Sequence, residues 1–337
     1  MNVLVTGGAG FIGCHTVDYF AQNHKVRVID SLVRKGSELN LKWLNKNHNI
    51  EFAKLDICDS KAIQNEIKNF KPDVVIHLAA QVAVTTSVSH PREDFNINSL
   101  GTLNLLEAIR KYASNAVLVF ASTNKVYGNM EDIAFEKKGK RYAYIDYPKG
   151  ADEKRSLDFH SPYGCSKGSA DQYVRDYARI YGLKTVVFRM SCIYGTRQFG
   201  IEDQGWVAWF TIRAAIDKPV TIFGDGAQVR DILWVKDVVC AYKKAIDAID
   251  QVKGEVFNLG GGFKNQLSLL ELLDLLNEIR GSPMKLNFSD WRPGDQRVFI
   301  ANTAKAQKLL NWEPSCAPKE GVRKIFAWVK DNIGLFS

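Results

Sequence analysis

The sequence of 337 residues contains no apolar run approaching the roughly 20 residues of a membrane-spanning helix. It has no Cys-x-x-Cys pair. Its six cysteines, at positions 14, 58, 165, 192, 240 and 316, are widely spread. That distribution fits reduced structural thiols, not a disulfide frame or a zinc ribbon. Its six histidines all precede residue 161 and none stands four from another, so no metal site is expected. It lacks a basic stripe: the net charge is +8, yet apart from "EKKGKR" at 136–141 the cations are scattered. Nucleic acid is therefore not an expected partner. The sign suits a phosphorylated small molecule, or solubility alone. There is no internal repeat and no low-complexity linker. "MNVLVTGGAG" opens as a strand with no basic leader or cleavage site, which predicts a cytoplasmic protein with no membrane partner.

What is present is ordinary globular material, 46% hydrophobic and 24% charged, ample for a packed core. Short β-branched runs alternate with helical patterns: "NVLVT", "KVRVID", "IEFAKLD", "DVVIHLA", "AVLVFAS" and "KTVVFRM". Near-continuous apolar strands separated by helices predict a parallel sheet covered on both faces. The expected fold class is α/β, a doubly wound Rossmann-type domain over residues 1–190. After about residue 190 the strands shorten. A smaller mixed α/β substrate region is expected over 191–337, with a stretch near 229–260 returning to the first domain. "TIFGDGAQVRDILWV" reads as a hairpin about an Asp-Gly turn. "SLLELLDLLNEIRG" reads as a helix with a Ser268/Glu271 capping box, ended by Gly281. The polar stretch from Tyr127 to Tyr163 predicts a loop or lid near a site.

"VTGGAGFIG" places Gly7, Gly10 and Gly13 directly after the first strand, with Phe11 and Ile12 opening a helix. Glycines there let backbone approach a pyrophosphate, and the helix start supplies N–H donors. Asp30 ends the second strand, 17 residues after Gly13. A carboxylate there accepts from an adenosine ribose and repels a 2′-phosphate, favouring NAD over NADP. Arg34 is a cation that could partly offset it.

Further on, "HSPYGCSKG" opens a helical run with Tyr163 and Lys167 four apart, on one helix face. Alone, that spacing is common. Beside a dinucleotide site it has a chemical use. A free tyrosine titrates near pH 10, and lowering it by three units takes about 4 kcal/mol of differential phenolate stabilisation. A lysine one turn away and an oxidised nicotinamide would each add positive charge. Thr123 ends "AVLVFAST" at the carboxyl edge of the predicted sheet, where ligands bind in such folds. Its hydroxyl can relay a hydrogen bond between substrate and phenolate, or simply cap the following loop.

These motifs, with Asp56 in "KLDI", "HLAA", Asn98 in "NINSLGT" and "STNKVYG", resemble the extended short-chain dehydrogenase/reductase superfamily over nearly the whole chain. The resemblance implies the triad Thr123, Tyr163 and Lys167, with Lys167 also holding the nicotinamide ribose. It implies Asp56 and Ile57 near the adenine, and Leu78, Ala79, Ala80, Gln81 and Asn98 at the cofactor. It implies a nucleotide-diphosphate sugar as substrate. It also implies a homodimer or homotetramer built on helices near 95–112 and 163–181, where Tyr173, Tyr177 and Ile180 either face a second copy or pack on the sheet. Dehydratases of the superfamily carry Asp-Glu after the threonine. Here Asn124 and Lys125 stand instead, and elimination lacks its acid/base pair.

"QVAVTTSV", "LDFHSPYGCSKGSADQY" and "RQFGIEDQGWVAWF" most resemble the CDP-tyvelose epimerase family. That implies inversion at carbon 2 of a CDP-dideoxyhexose. The alternatives are a 2-epimerase of another nucleotide hexose, a 4-epimerase, or a silent cofactor-binding scaffold. Cys192 stands where relatives often carry an asparagine that binds the diphosphate. Expected substrate contacts are therefore Thr123, Asn124, Gln204, Arg230 and Arg292, since arginine forks suit phosphate oxygens. A structural ion pair is the competing reading for each arginine. Trp206 is a further pocket candidate, whereas Trp209 and Phe210 read nearly as well as core.

Overall fold

The computed structural model describes residues 1–292 and 295–336. Its centre is a seven-stranded sheet. From one edge to the other the order is Val256–Leu259, Lys184–Met190, Val117–Thr123, Val74–His77, Asn2–Thr6, Lys25–Asp30 and Glu51–Lys54. Every pairing is parallel. The inner strands are apolar along their length because both faces are covered: Val3, Leu4 and Val5 are all fully buried. On one face the helices Phe11–Phe20 and Val235–Asp247 complete a core. On the other, Ser60–Phe70, Gly101–Tyr112 and Ser161–Tyr181 do so. Strand order reverses between Asn2–Thr6 and Val74–His77, so the crevice at their carboxyl ends is where a ligand is expected.

A second core gathers the helices Trp206–Ala215, Leu269–Arg280 and Pro318–Asp331. The Leu269 helix has the predicted capping box, and it ends at Gly281 in the left-handed region (φ 74°). Its leucines at 269, 272, 273, 275 and 276 are buried there.

One expectation fails in this half. "TIFGDGAQVRDILWV" is not a hairpin. Val220–Phe223 pairs parallel with Leu286–Ser289. Val229–Trp234 pairs with Cys192–Tyr194, Gln266–Ser268 and Val298–Phe299. Gly224 and Gly226, both at positive φ, carry the chain from one small sheet to the other. Each strand buries its apolar face against a different partner. Val229–Trp234 accordingly stays in the small sheets, and the return to the large sheet runs from Val235 to Leu259.

The segment 129–160 is not a lid on the crevice between the turning strands. It forms an antiparallel hairpin, Phe135–Lys138 with Arg141–Tyr144. Arg141 forks onto Glu271 with two 2.7 Å bonds. The Tyr142 N–H donates to the Ala227 carbonyl at 2.8 Å. These bonds tie the hairpin to the second core. On the Ser161–Tyr181 helix, Tyr173 and Ile180 face outward, whereas Tyr177 is buried and donates to Glu107 at 2.7 Å.

Two imidazoles inside the fold make its stability acid-sensitive. His77 ends a central strand between the hydroxyls of Thr6 (2.7 Å) and Thr102 (3.0 Å). Burial pushes it from 6.5 down to about 3. His15, bonded to the Thr196 carbonyl, is pushed down to about 4, also by burial. As pH falls below 6.5 the unfolded chain takes up these protons first, so stability is lost. The slope is roughly 1.4 kcal/mol per pH unit for each group. We expect the melting temperature to fall between pH 7 and pH 5, and to fall less steeply in His77→Gln. An unchanged slope in that variant would place the proton uptake elsewhere.

Candidate active site

The crevice at the strand-order reversal is a cleft of about 340 Å³, within the range of small-molecule sites. The glycine turn forms one end of it. Gly7 has φ +69°, and a Cβ there would lie 2.6 Å from the Ala79 nitrogen. A Cβ on Gly13 would lie 2.1 Å from the Gly7 carbonyl oxygen. Only glycine lets strand, turn and helix approach so closely. A Cβ on Gly10 would meet a single atom, the Gly7 oxygen at 3.1 Å, and Gly10 with Phe11, Ile12 and Gly13 lines the cleft. The N-terminus of the Phe11–Phe20 helix thus opens onto the cleft, a cradle suited to a pyrophosphate.

Asp30 lines the same cleft, its oxygens accepting from the backbone N–H groups of Ala9 (3.0 Å) and Leu32 (2.8 Å). Burial raises its pKa and these N–H groups oppose the rise. A carboxylate has about four acceptor positions, so it can still receive a ribose hydroxyl. The Arg34 guanidinium donates to the Gln204 side chain across the cleft. Asp56 and Ile57 line the far end, and Leu78, Ala79 and Ala80 one wall. The residues present fit NAD.

Gln81 and Asn98 were expected at the cofactor and lie behind that wall instead. The Asn98 amide donates to Asp94 (3.1 Å), Ser166 Oγ (3.0 Å) and the Gln81 carbonyl (3.0 Å), and its oxygen accepts from the Gln81 N–H (3.0 Å). The Gln81 amide donates to Asp94 and to the Ala83 carbonyl. Both are buried because their polar groups are spent on one another. Gln204, expected at the substrate, is placed on the cofactor cleft opposite Arg34.

Tyr163 and Lys167 enter the cleft from the Ser161–Tyr181 helix. Ser161 starts that helix at φ +65°, and its Oγ accepts from the Gly164 N–H at 3.2 Å. The Tyr163 N–H donates to Ser87 Oγ at 3.1 Å. Gly168 lets the helix press on Phe159, whose ring would lie 2.4 Å from a Cβ. The Thr123 hydroxyl acts on the Tyr163 phenol, lowering its pKa, and donates to the Asn124 side-chain oxygen at 3.4 Å. That hydroxyl also accepts from the Lys125 N–H at 3.2 Å, so Thr123 caps the following turn as well as facing the tyrosine.

The electrostatics differ from the sequence expectation. Burial pushes Tyr163 up to about 12; the Thr123 hydroxyl and Arg34 lower it, and Asp94 raises it. Lys167 stands one turn further along the same helix. Its ammonium donates to the Ala121 carbonyl at 2.6 Å and lies 4.3 Å from the Phe120 ring centre. Burial lowers it to about 7 against the pull of Asp171 and Asp94. Burial thus opposes phenolate formation, and positive charge in the cleft favours it.

The expected substrate contacts fall into separate groups. Asn124 is buried at the start of a short 3₁₀ turn, Asn124–Tyr127, directly after Thr123. Arg230 donates to Asp295 at 2.8 Å and to the Val229 carbonyl at 2.8 Å. Its charge also acts on Lys125 and Cys192. Arg292 pairs with Asp203 at 3.3 Å, donates to the Glu202 carbonyl, and lies 3.7 Å from the Phe223 ring centre. Both arginines thus hold structural pairs. Trp206 sits beside Cys192, while Phe210 is buried in the second core and Trp209 packs against it.

Residues not singled out in the sequence support the site. Asp94 accepts from Ser166 Oγ at 2.5 Å beneath Tyr163 and Lys167. Asp171, one turn beyond Lys167, accepts both forks of Arg189 at 2.9 Å. The repeat of positions 163, 167 and 171 along one helix face was the available signal for Asp171. Among the described residues no cluster of metal-ligating side chains occurs, and no helix is long and apolar enough to cross a membrane.

Comparison with known proteins agrees with this geometry. The chain is 46% identical over 334 residues to the CDP-paratose 2-epimerase of Salmonella typhi, covering 97% of this chain and 99% of that protein. It is 35% identical to a putative UDP-glucose 4-epimerase of Methanocaldococcus jannaschii, covering 98% and 99%. Among solved structures, the Thermotoga maritima UDP-glucose 4-epimerase with UDP-glucose superposes with a TM-score of 0.84 at 35% identity, covering 99% of this chain and all of that one. The Thermus thermophilus UDP-glucose 4-epimerase complex with NAD gives 0.81 at 33% identity, covering 97% and 98%. Residues 3–260 match the NAD dependent epimerase/dehydratase family, and the chain belongs to that family.

Proposed function

We propose that this chain is an NAD-dependent nucleotide-sugar 2-epimerase that interconverts CDP-paratose and CDP-tyvelose. The observation that carries the reading is Tyr163, buried at the cofactor cleft where the Thr123 hydroxyl acts on its phenol, with Asn124 and Lys125 following Thr123 in place of a carboxyl pair. The set can move a hydroxyl proton and lacks the means to eliminate water. The 46% identity to a CDP-paratose 2-epimerase, against 35% to a 4-epimerase, favours carbon 2 and the cytidine nucleotide.

Oxidation at carbon 4 acidifies only the hydrogens on carbons 3 and 5, so it does not by itself invert carbon 2. Direct oxidation at carbon 2 does. NAD, held by the glycine turn, Asp30, Asp56 and Lys167, would supply a reversible hydride acceptor and one positive charge near the phenol. Tyr163 would take the carbon-2 hydroxyl proton beside or through Thr123. The 2-keto sugar would then turn about its diphosphate linkage, and Tyr163 would return the proton to the opposite alcohol. Arg230 and Arg292 are proposed to meet the sugar nucleotide by opening their ion pairs toward it. The exposed Phe95, Leu100, Tyr173 and Ile180 are proposed to be covered by a second copy of the chain. A cytoplasmic location is proposed with it.

Two outcomes test the reading. Substrate deuterated at carbon 2 should keep its label in product formed in ordinary water, read by mass spectrometry; washout would exclude direct hydride return. Tyr163→Phe should lose about 10²–10⁴ in kcat while releasing as much NAD on denaturation as the unaltered protein. A panel of nucleotide sugars, with products separated as carbon-2 and carbon-4 epimers, distinguishes this reading from a 4-epimerase, the activity named for several relatives.

A further inference from the structure

Lys125 is the residue in the substrate half whose place is unexplained. It is half-buried on the turn that follows Thr123. Among the described residues its ammonium has one hydrogen-bond partner, the Gln296 side-chain oxygen at 3.2 Å. Gln296 is itself buried and tied by its amide to the Gly128 carbonyl. The groups acting on Lys125 are Arg230, Asp295 and Cys192. Asp295 already serves Arg230 in an ion pair. The Cys192 thiol is kept protonated by burial. Asp231, the neighbour of Arg230, turns to Ser191 Oγ and the Gly262 N–H. Two cations therefore share one carboxylate, in surroundings that push Lys125 down to about 8 chiefly by desolvation. A half-buried cation that shares its counter-charge is under-compensated, and an anionic ligand offsets that.

Bond counting says which anion. The argument rests on carbon 2 being the reacting centre. The phosphorus nearest the sugar lies three bonds from carbon 2, through carbon 1 and the glycosidic oxygen. From carbon 4 it lies five bonds away, across the ring. With the reacting hydroxyl fixed at Thr123 and Tyr163, a 2-epimerase must hold its diphosphate much nearer the threonine. The Lys125 main chain adjoins Thr123 through its N–H bond to that hydroxyl, its ammonium stands among Arg230, Asp295 and Cys192, and the asparagine that often binds diphosphate in relatives is here Cys192. We propose that Lys125 binds the sugar-side phosphate of the substrate diphosphate, next to Arg230, and so sets the carbon at which the enzyme reacts.

The test is calorimetric titration of the purified NAD-loaded enzyme with CDP, beside cytidine as the phosphate-free control. In Lys125→Met the CDP dissociation constant should rise at least tenfold, with cytidine binding, NAD content and melting temperature unchanged. Lys125→Arg should stay within about threefold of the native value, which a merely structural lysine–Gln296 contact does not require. If Lys125→Met fails to fold, Lys125→Gln carries the same expectation. CDP binding within twofold of native in a folded variant overturns the proposal, even if kcat falls, because the lysine would then act on the sugar alone. The carbon-2 assignment is read separately, from the product formed by the unaltered enzyme.

Discussion

A charged pair sealed inside the protein fixes the working face of the site. Arg189, on a strand of the large sheet, and Asp171, on the Tyr163 helix, are 2% and 0% exposed in their side chains. Both carboxylate oxygens receive the guanidinium fork, one also takes the Ser122 hydroxyl at 2.8 Å, and the other takes the Gln172 amide. Arg189 reaches on to Tyr127, whose hydroxyl donates to Asn258 at 2.7 Å. Such a pair adds little net stability over apolar packing, but removing one partner costs about 3–5 kcal/mol. Its use is orientation. Positions 163, 167 and 171 share one helix face, so locking Asp171 against the strand holds Tyr163 and Lys167 toward the cleft. Ser122 joins the strand that ends in Thr123 to the same network, and the three residues of the proposed triad are referenced to one buried frame.

That frame is held against unfavourable electrostatics. Burial alone raises the phenol and lowers the ammonium, the direction opposite to what proton abstraction needs. Asp94 and Asp171 pull Lys167 back toward its charged form, and Asp94 pushes the phenol further up. A cation beside the phenol would offset that burial. On the proposed reading, basicity is thereby coupled to an occupied cofactor site. The Arg34–Gln204 bond spans the same cleft from the two halves of the chain, so the cofactor site is bounded by both.

The parts legible in the sequence were those encoded locally. The glycine turn, the apolar strands, the Leu269 helix with its capping box, and Tyr163 with Lys167 each follow from spacing within a few residues. The parts misread depend on partners far along the chain. Val220–Phe223 and Val229–Trp234 looked like two arms of a hairpin because Asp225-Gly226 is a good turn; their true partners lie near residues 192, 267, 287 and 298. Gln81 and Asn98 were assigned to the cofactor by resemblance, yet the Gln81 side chain is spent on Asp94 and the Ala83 backbone, and that of Asn98 on Asp94, Ser166 and the Gln81 backbone. Lys125 drew notice only as a missing acid. Its neighbours Cys192, Arg230 and Asp295 are 67 to 170 residues away, and no local pattern joins them.

The fold itself does not decide which carbon is inverted. The same parallel sheet and glycine turn superpose on UDP-glucose 4-epimerases over essentially the whole chain. A Tyr-Thr pair at a fixed point on the sheet edge accepts whichever hydroxyl is presented to it. Regioselectivity must then come from the groups that grip the rest of the substrate, and on the proposed reading these stand on the turn after Thr123 and on the small sheets of the second half. Cys192 and Arg230 lie on neighbouring strands of those sheets, and Lys125 faces them from the large sheet's edge. Moving one strong cation by a few residues relative to the threonine shifts the diphosphate, and with it the sugar ring. The chemistry at Tyr163 need not change for the product to change. On the proposed reading, the substitution of Cys192 for asparagine and the charge at Lys125 are two halves of one relocation of the phosphate site.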